Sequence, residues 1–452
     1  MQRWRAFFSH RLVAGTLAGT YGQLVQLVVQ LLSLPVFTAH WGLAGYGSWL
    51  ILFTLPSTLA IADLGLTSAG GNSMTAAAAR GEFARARSIY ASMRLITLAV
   101  GLAIVAGVAV FLWVLRPHSL DFARAPTLGH AAATVWLLLG YGFLSLVMAA
   151  PLAAARAVDA FAGTIAIQQT VIAAEAACGM LTAGFGGGLE AVALAYVVAR
   201  LVGVAVLNLY VVSRAHWLRR APWRVDLAEL RDLLAPAMAA LVLPGANAVV
   251  IQGAVVVIGA VNGPAAVPAF TAVRTLSRTA LQFAFRLNFA SMPRYTVLAA
   301  QADRAGMARI LLLNLVVTAL LVAPAAVVLL LFGRPIVALW THGLVHPTWT
   351  LLGLMLTAML FDAAWVPLSN LVMALNRHAG FSYAFLASGM VAMALGWLLQ
   401  HRFGIDGMAM ALVAQEAAMT LCVWRLARRL DMLPPHLLRD AWALARRLRP
   451  AR

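Results

Sequence analysis

The chain has 452 residues, of which 63% are hydrophobic and 11% charged, and its mean hydropathy is +0.88. A soluble domain carries roughly 45–50% apolar and about 25% charged residues, so this composition excludes a soluble enzyme, a disordered chain and a collagen-like fibre. The net charge is +18, and all 33 basic side chains are arginine, with no lysine anywhere. Without lysine there can be no Walker A phosphate loop and no pyridoxal Schiff base, so the chain is not an ATP-driven pump in its own right, and no cofactor is expected.

Twelve apolar runs follow one another, at about 12–38, 43–67, 95–115, 129–155, 160–184, 189–213, 233–260, 265–292, 309–333, 348–374, 381–400 and 405–425. About 20 residues of helix cross a bilayer, and the alternation of a β-barrel strand is absent, so each run predicts a transmembrane helix. The first is too long for the apolar core of a signal peptide and is read as a retained helix. It carries a polar stripe, Gln23, Gln26 and Gln30, beside Gly22. The run Gly184-Phe185-Gly186-Gly187-Gly188 lacks a preceding strand and predicts a tight turn, not a dinucleotide loop. The arginine-rich segment 214–232 separates six runs from six. Just beyond it, Pro244-Gly245 interrupts the seventh run, which also carries Asn247 and Gln252. From Pro434 the tail reads as a basic amphipathic helix lying on an anionic lipid surface, not as a nucleic-acid-binding arm. Cys178 and Cys422 sit in apolar runs, and His342 and His346 flank Gly-Leu-Val without an acidic neighbour, so neither a disulfide nor a metal site is expected.

With the N-terminus cytoplasmic, the inner segments hold 25 arginines and the outer loops only four, Arg116, Arg124, Arg334 and Arg402. This positive-inside bias places both termini in the cytoplasm. An internal repeat supports the six-plus-six division. At an offset of 221, Val36, Gly42, Tyr46-Gly47, Trp49 and Leu55 recur as Val257, Gly263, Val267-Pro268, Phe270 and Leu276. At an offset of 218, Phe185-Gly186 with Ala191-Val192-Ala193-Leu194 recurs as Phe403-Gly404 with Ala409-Met410-Ala411-Leu412. The pattern predicts two halves of parallel topology, 1–213 and 233–430, joined by the linker 214–232 and followed by the tail 431–452.

Seven charges fall inside the predicted spans. A charge at the centre of a span costs about 2.5–3.5 kcal/mol on insertion scales, which makes these residues the first candidates for function. Arg274, Arg278, Gln282 and Arg286 share one sector of the eighth helix and rise about 18 Å along it. Guanidinium groups bind phosphate bidentately and stay charged in a low-dielectric cavity. Arg200 lies in the sixth span, and Glu175, Asp362 and Glu416 are the acids near span centres. Two readings stay open for this set: arginines lining a water-filled cavity, or ion pairs with the three acids. Asp362 is equally a candidate ion-coupling site. Gly22 and Pro244-Gly245 fall at matching positions of the two repeats, and interrupted helices so placed point to a transport site with hinges there; close helix packing through small residues is the alternative.

The stretch Leu34-Pro35, Gly42, Tyr46-Gly47-Ser48-Trp49, Ala62-Asp63-Leu64-Gly65-Leu66, Ala69 and Asn72, followed by Ala79-Arg80-Gly81-Glu82, resembles the N-terminal signature of the Wzx-type polysaccharide flippases of the MOP exporter superfamily. That resemblance implies an all-α, V-shaped bundle of about twelve helices whose central cavity alternates its opening. It implies no enzyme activity. The implied substrate is an undecaprenyl-pyrophosphate-linked oligosaccharide, carried from the cytoplasmic to the periplasmic leaflet of the bacterial inner membrane for O-antigen or exopolysaccharide synthesis. The implied partners are that lipid-linked glycan, membrane lipids and polysaccharide polymerase or export machinery. Cationic cavities are described in the family, and the arginines at 274, 278 and 286 would match them in kind; Asp63 would have a structural or gating role. A drug or metabolite antiporter of the same superfamily is the alternative reading, and a membrane glycosyltransferase or polymerase a more distant one, because the outer loops are short.

Overall fold

The computed structural model describes residues 2–114, 131–158, 160–219, 227–375 and 379–429. The amphipathic tail, part of the linker and most of the first long outer loop lie outside the described residues. Among the described residues, fourteen α-helices follow in order: α1 Gln2–Leu52, α2 Thr54–Ala79, α3 Phe83–Val114, α4 Ala131–Val147, α5 Ala149–Ala157, α6 Phe161–Gly184, α7 Leu189–Arg214, α8 Leu227–Asn262, α9 Val267–Ala290, α10 Met292–Ala300, α11 Arg304–Trp340, α12 Trp349–Ala374, α13 Ala379–Phe403 and α14 Ile405–Arg429. No strand occurs among the described residues.

Helices are what an apolar solvent demands, since every backbone polar group must then be satisfied within its own segment. Side-chain hydroxyls follow the same rule: Ser33 donates to Val29 O at 2.6 Å, Thr38 to Leu34 O at 2.7 Å and Thr170 to Ala166 O at 2.9 Å. Where helices begin in polar surroundings, caps appear. The Asp303 carboxylate accepts from Gly306 N at 2.8 Å at the start of α11, and Thr348 Oγ1 accepts from Leu351 N at 3.0 Å at the start of α12.

Among the described residues, ten stretches are long and apolar enough to cross a membrane by length and composition, against twelve expected runs. The first two runs merge into one continuous stretch, Leu17–Leu59, because α1 stays hydrogen-bonded across a kink at Gly42. The eighth run, α9, carries the arginine ladder, which lowers its apolarity.

Contacts divide the chain into two compact units, Met1–Ala248 and Val249–Arg452, with the division falling inside α8. The backbone of each unit carries the same punctuation. At the offset of 221, Gly42 (φ 66°, ψ −179°) is matched by Gly263 (φ 82°, ψ 162°), and Gly81 (φ 78°) by Ala302 (φ 53°). At the offset of 218, Gly186 (φ 84°) is matched by Gly404 (φ 58°). These are the two offsets that the sequence repeat gives. The residue before each kink is tied within its own unit: Trp41 Nε1 donates to Gly187 O at 2.9 Å in the turn between α6 and α7, and Asn262, the repeat equivalent of Trp41, bonds its amide to Gln400 near the end of α13.

Two aspects of the expected organisation differ from what the backbone does. Non-helical backbone in α1 falls at Gly42, not at Gly22, and α8 runs helically through Pro244-Gly245 to Asn262. At Gly22 the helix instead comes close to α6: a Cβ there would lie 2.8 Å from Gln169 Cγ, the small-residue packing that lets two membrane helices approach.

Candidate functional site

Six of the seven charged residues of the spans gather into two clusters, one in each unit. In the first unit, α7 brings Arg200 against Glu175 of α6 and Tyr141 of α4. Arg200 Nε lies 2.6 Å from Glu175 Oε1, and its Nη2 donates to Glu175 Oε2 at 2.7 Å and also to the Tyr141 hydroxyl. The Tyr141 hydroxyl in turn donates to Glu175 Oε2 at 3.0 Å, while the guanidinium carbon sits 4.5 Å from the Tyr141 ring centroid. Both charged side chains are buried. Of the two readings open for Arg200, the structure therefore gives the ion pair: its fork is closed on a carboxylate in two places.

Aromatic residues around the Gly42 kink pack beside this cluster. Phe37, Trp41, Tyr46 and Trp49 stack at ring separations of 4.7 to 6.2 Å around the Gly42 kink, and Phe53 and Tyr196 continue the stack down to Tyr141. Tyr46 and Trp49 are thus core residues. Gly47 and Gly65 are also buried, whereas Asn72 is exposed on α2. The Asp63 side chain lies outside the described residues. In the Arg80-Gly81-Glu82 turn, the Arg80 guanidinium bonds Glu82 at 2.7 Å and holds its carboxyl below the usual carboxylate range.

The second cluster is built differently. Arg274 and Arg278 of α9, Asp362 of α12 and Glu416 of α14 all line a cavity of about 40 Å³, together with Ser277 and Ile251. That is room for one or a few water-sized species. Arg274 Nη1 donates to Ile251 O at 3.0 Å, with its guanidinium 5.7 Å from the Phe270 ring centroid. Glu416 Oε2 accepts from Trp365 Nε1 at 2.8 Å. Asp362 is 7% exposed and makes no hydrogen bond among the described residues, although it faces Arg278. Two cations and two anions thus share one small space, with no direct ion pair between them among the described residues.

The ladder of the sequence reading is therefore divided. Arg274 and Arg278 reach the cavity; Gln282 is half-buried and Arg286 exposed, one and two turns further along α9, and neither lines it. The glutamine stripe of α1 is not brought to the cluster of its own unit: Gln23 is half-buried and Gln26 and Gln30 are exposed. Pro244 and Gly245 are half-buried within α8. No group of three or more His, Cys, Asp or Glu side chains comes together among the described residues.

Three members of the clusters were not singled out by sequence reasoning: Tyr141, Ser277 and Trp365. For Tyr141 a signal existed, since the offset of 221 carries it onto Asp362, and it so occupies the equivalent place in the first repeat; Phe53 stands in the same relation to Arg274. For Trp365 the only trace is its i, i+3 spacing from Asp362 on one helix.

This all-helical chain, with a charged cluster in each of its two compact units, is similar in fold to solved transporters of the MOP superfamily. Among solved structures similar to it is the lipid II flippase MurJ in an inward closed conformation, with a TM-score of 0.67 at 12% identity over 96% of this chain and 90% of that one. An inward-facing multidrug resistance MATE family transporter of the MOP superfamily is similar at TM-score 0.64 and 13% identity, over 89% of this chain and 97% of the other. A MOP superfamily transporter from Pyrococcus furiosus, described as having a binding pocket of reverse polarity, is similar at TM-score 0.63 and 12% identity, over 93% and 95%. At such identities the likeness is one of fold. No protein-family model matches the sequence, and no curated protein matches it either.

Proposed function

We propose that this chain is a Wzx-type flippase that moves a polyprenyl-pyrophosphate-linked oligosaccharide across the bacterial inner membrane by alternating access. The observation that carries the reading is the pair Arg274 and Arg278, held in a membrane-embedded cavity without a direct ion pair among the described residues. Arginine is the side chain best suited to a pyrophosphate. Its fork matches two phosphate oxygens at once, and it keeps its charge where lysine would lose it. A burial cost of several kcal/mol for two such groups is offset when the ligand brings the opposite charge.

In this reading Arg274 and Arg278 engage the pyrophosphate and Arg286 and Gln282 lie along its path on α9. Gln23, Gln26 and Gln30 contact sugar, and the polyprenyl tail remains among membrane lipids. Arg200 serves its own bundle as Glu175's partner. Gly22, Pro244 and Gly245 accommodate the change of shape, the halves being 1–213 and 233–430. Arginine placement puts both termini in the cytoplasm, and polymerase or export machinery takes up the product. The likeness in fold to MurJ, a lipid II flippase, supports a lipid-linked substrate.

The second reading, a drug or metabolite antiporter, is favoured by the MATE-type neighbours and by Asp362 and Glu416, which could hold an organic cation or a coupling ion. The two readings part on charge. Reconstituted in proteoliposomes, the flippase translocates a fluorescent undecaprenyl-pyrophosphate-linked saccharide, and replacing Arg274 and Arg278 together by glutamine abolishes this. Cation uptake insensitive to that double replacement would establish the antiporter instead.

A further inference from the structure

Two arginines and two carboxylates in one small buried cavity should collapse into ion pairs, because opposite charges attract strongly where water is scarce. In the first unit that has happened: Arg200 and Glu175 are closed on each other in two places. In the second unit it has not, and the reason is visible in the hydrogen bonds around the cavity. Glu416 is turned toward α12 by the indole N–H of Trp365 at 2.8 Å, and that indole is wedged against Phe385, with ring centroids 5.9 Å apart. The backbone of α14 cannot follow the carboxylate elsewhere, since α12 and α14 are tied on the C-terminal side of Glu416 by Thr420 Oγ1 to Phe361 O at 3.2 Å and Trp424 Nε1 to Ala364 O at 3.3 Å. What remains free is rotation of the Glu416 side chain, and Trp365 is what restrains it.

We infer that Trp365 is a positioning residue of the anion site: by holding Glu416 it keeps the arginine face of the cavity open to the phosphate groups of the substrate. The inference rests on the flippase reading above. Without the indole donor, Glu416 turns into the cavity, pairs with Arg278 and competes with the incoming phosphate as a built-in anion. With Asp362 already facing Arg278, that arginine would then be answered by two carboxylates from within the site. Trp365 is buried and its ring is apolar apart from the N–H, so phenylalanine in its place removes the donor while retaining an aromatic core side chain.

The test is direct binding of undecaprenyl pyrophosphate to the full-length protein in nanodiscs, for wild type, Trp365→Phe, Glu416→Gln, the Trp365→Phe/Glu416→Gln pair and Arg278→Gln. Trp365→Phe is expected to weaken binding by about tenfold or more, the scale of a hydrogen bond to a charged group. The double variant is expected to bind as tightly as Glu416→Gln alone, because a neutral side chain no longer competes. Wild-type affinity in Trp365→Phe would overturn the inference, as would a loss that Glu416→Gln does not rescue, which would mark Trp365 as a packing residue only. Arg278→Gln separates the two claims: if it binds like wild type, the arginine site itself is wrong, and the positioning role falls with it.

Discussion

At the scale of single residues, the two charged clusters make opposite demands on stability. Removing one member of a closed buried pair leaves the other charge without compensation, which costs about 3–5 kcal/mol, whereas replacing both by apolar side chains is often neutral. Glu175→Ala is therefore expected to lower the unfolding free energy in detergent by that amount, and Glu175→Leu with Arg200→Met to recover most of it. Equal stability of Glu175→Ala and wild type would show that the pair is not closed in the protein. A second expectation concerns Ala302, which holds φ 53° where the first repeat has Gly81. A side chain in the left-handed region costs about 1–2 kcal/mol, so Ala302→Gly should raise stability by about 1 kcal/mol and Gly81→Ala should lower it by a similar amount, both readable as shifts in thermal unfolding. Part of the site was legible at this scale. Charges inside apolar runs are rare, and all seven were visible in the sequence. Which of them pair was not legible, because Arg200 and Arg278 look alike until Tyr141 and Trp365 are placed beside their acids, and those contacts join helices far apart in sequence.

At the scale of elements, the repeat offsets of 221 and 218 were readable from small and aromatic residues alone, and the backbone carries the same offsets in its positive-φ turns. The non-helical backbone stands apart from the residues that the sequence singles out as hinges. Gly22 and Pro244-Gly245 stand out in a one-dimensional reading, but a glycine or proline inside a membrane helix can serve packing, and neighbouring helices tolerate the lost hydrogen bond. The conformational breaks are at Gly42 and Gly263. Gly263→Ala is accordingly expected to reduce stability by about 1–2 kcal/mol, with Pro244→Ala costing less, in the same unfolding assay. The reverse order would show that the backbone at Gly263 does not require glycine. The boundary between the units was also only partly legible. The polar segment 214–232 marks a change of composition, while contacts divide inside α8, since one long helix can belong to both sides of a linker.

At the scale of the whole molecule, composition alone required a polytopic membrane protein, and the all-helical structure with its MATE-like and MurJ-like fold agrees with that requirement. Arginine placement predicts an orientation that is testable without any substrate: in a cysteine-free background, a cysteine at Ala302 should be labelled only from the cytoplasm and one at Gly343 only from the periplasm. Labelling in the opposite sense would invert every statement about the direction of transport. The proposed substrate class stands on the proposed anion-binding role of Arg274 and Arg278, and the measurement that reaches it most directly is the sidedness of lipid-linked oligosaccharide in the inner membrane of cells lacking the protein. Accumulation in the cytoplasmic leaflet, relieved by the wild-type chain and not by a stably expressed Arg274→Gln/Arg278→Gln double variant, is the expected result. Unchanged lipid-linked pools and surface glycan in the deletion strain, or full rescue by the double variant, would contradict it.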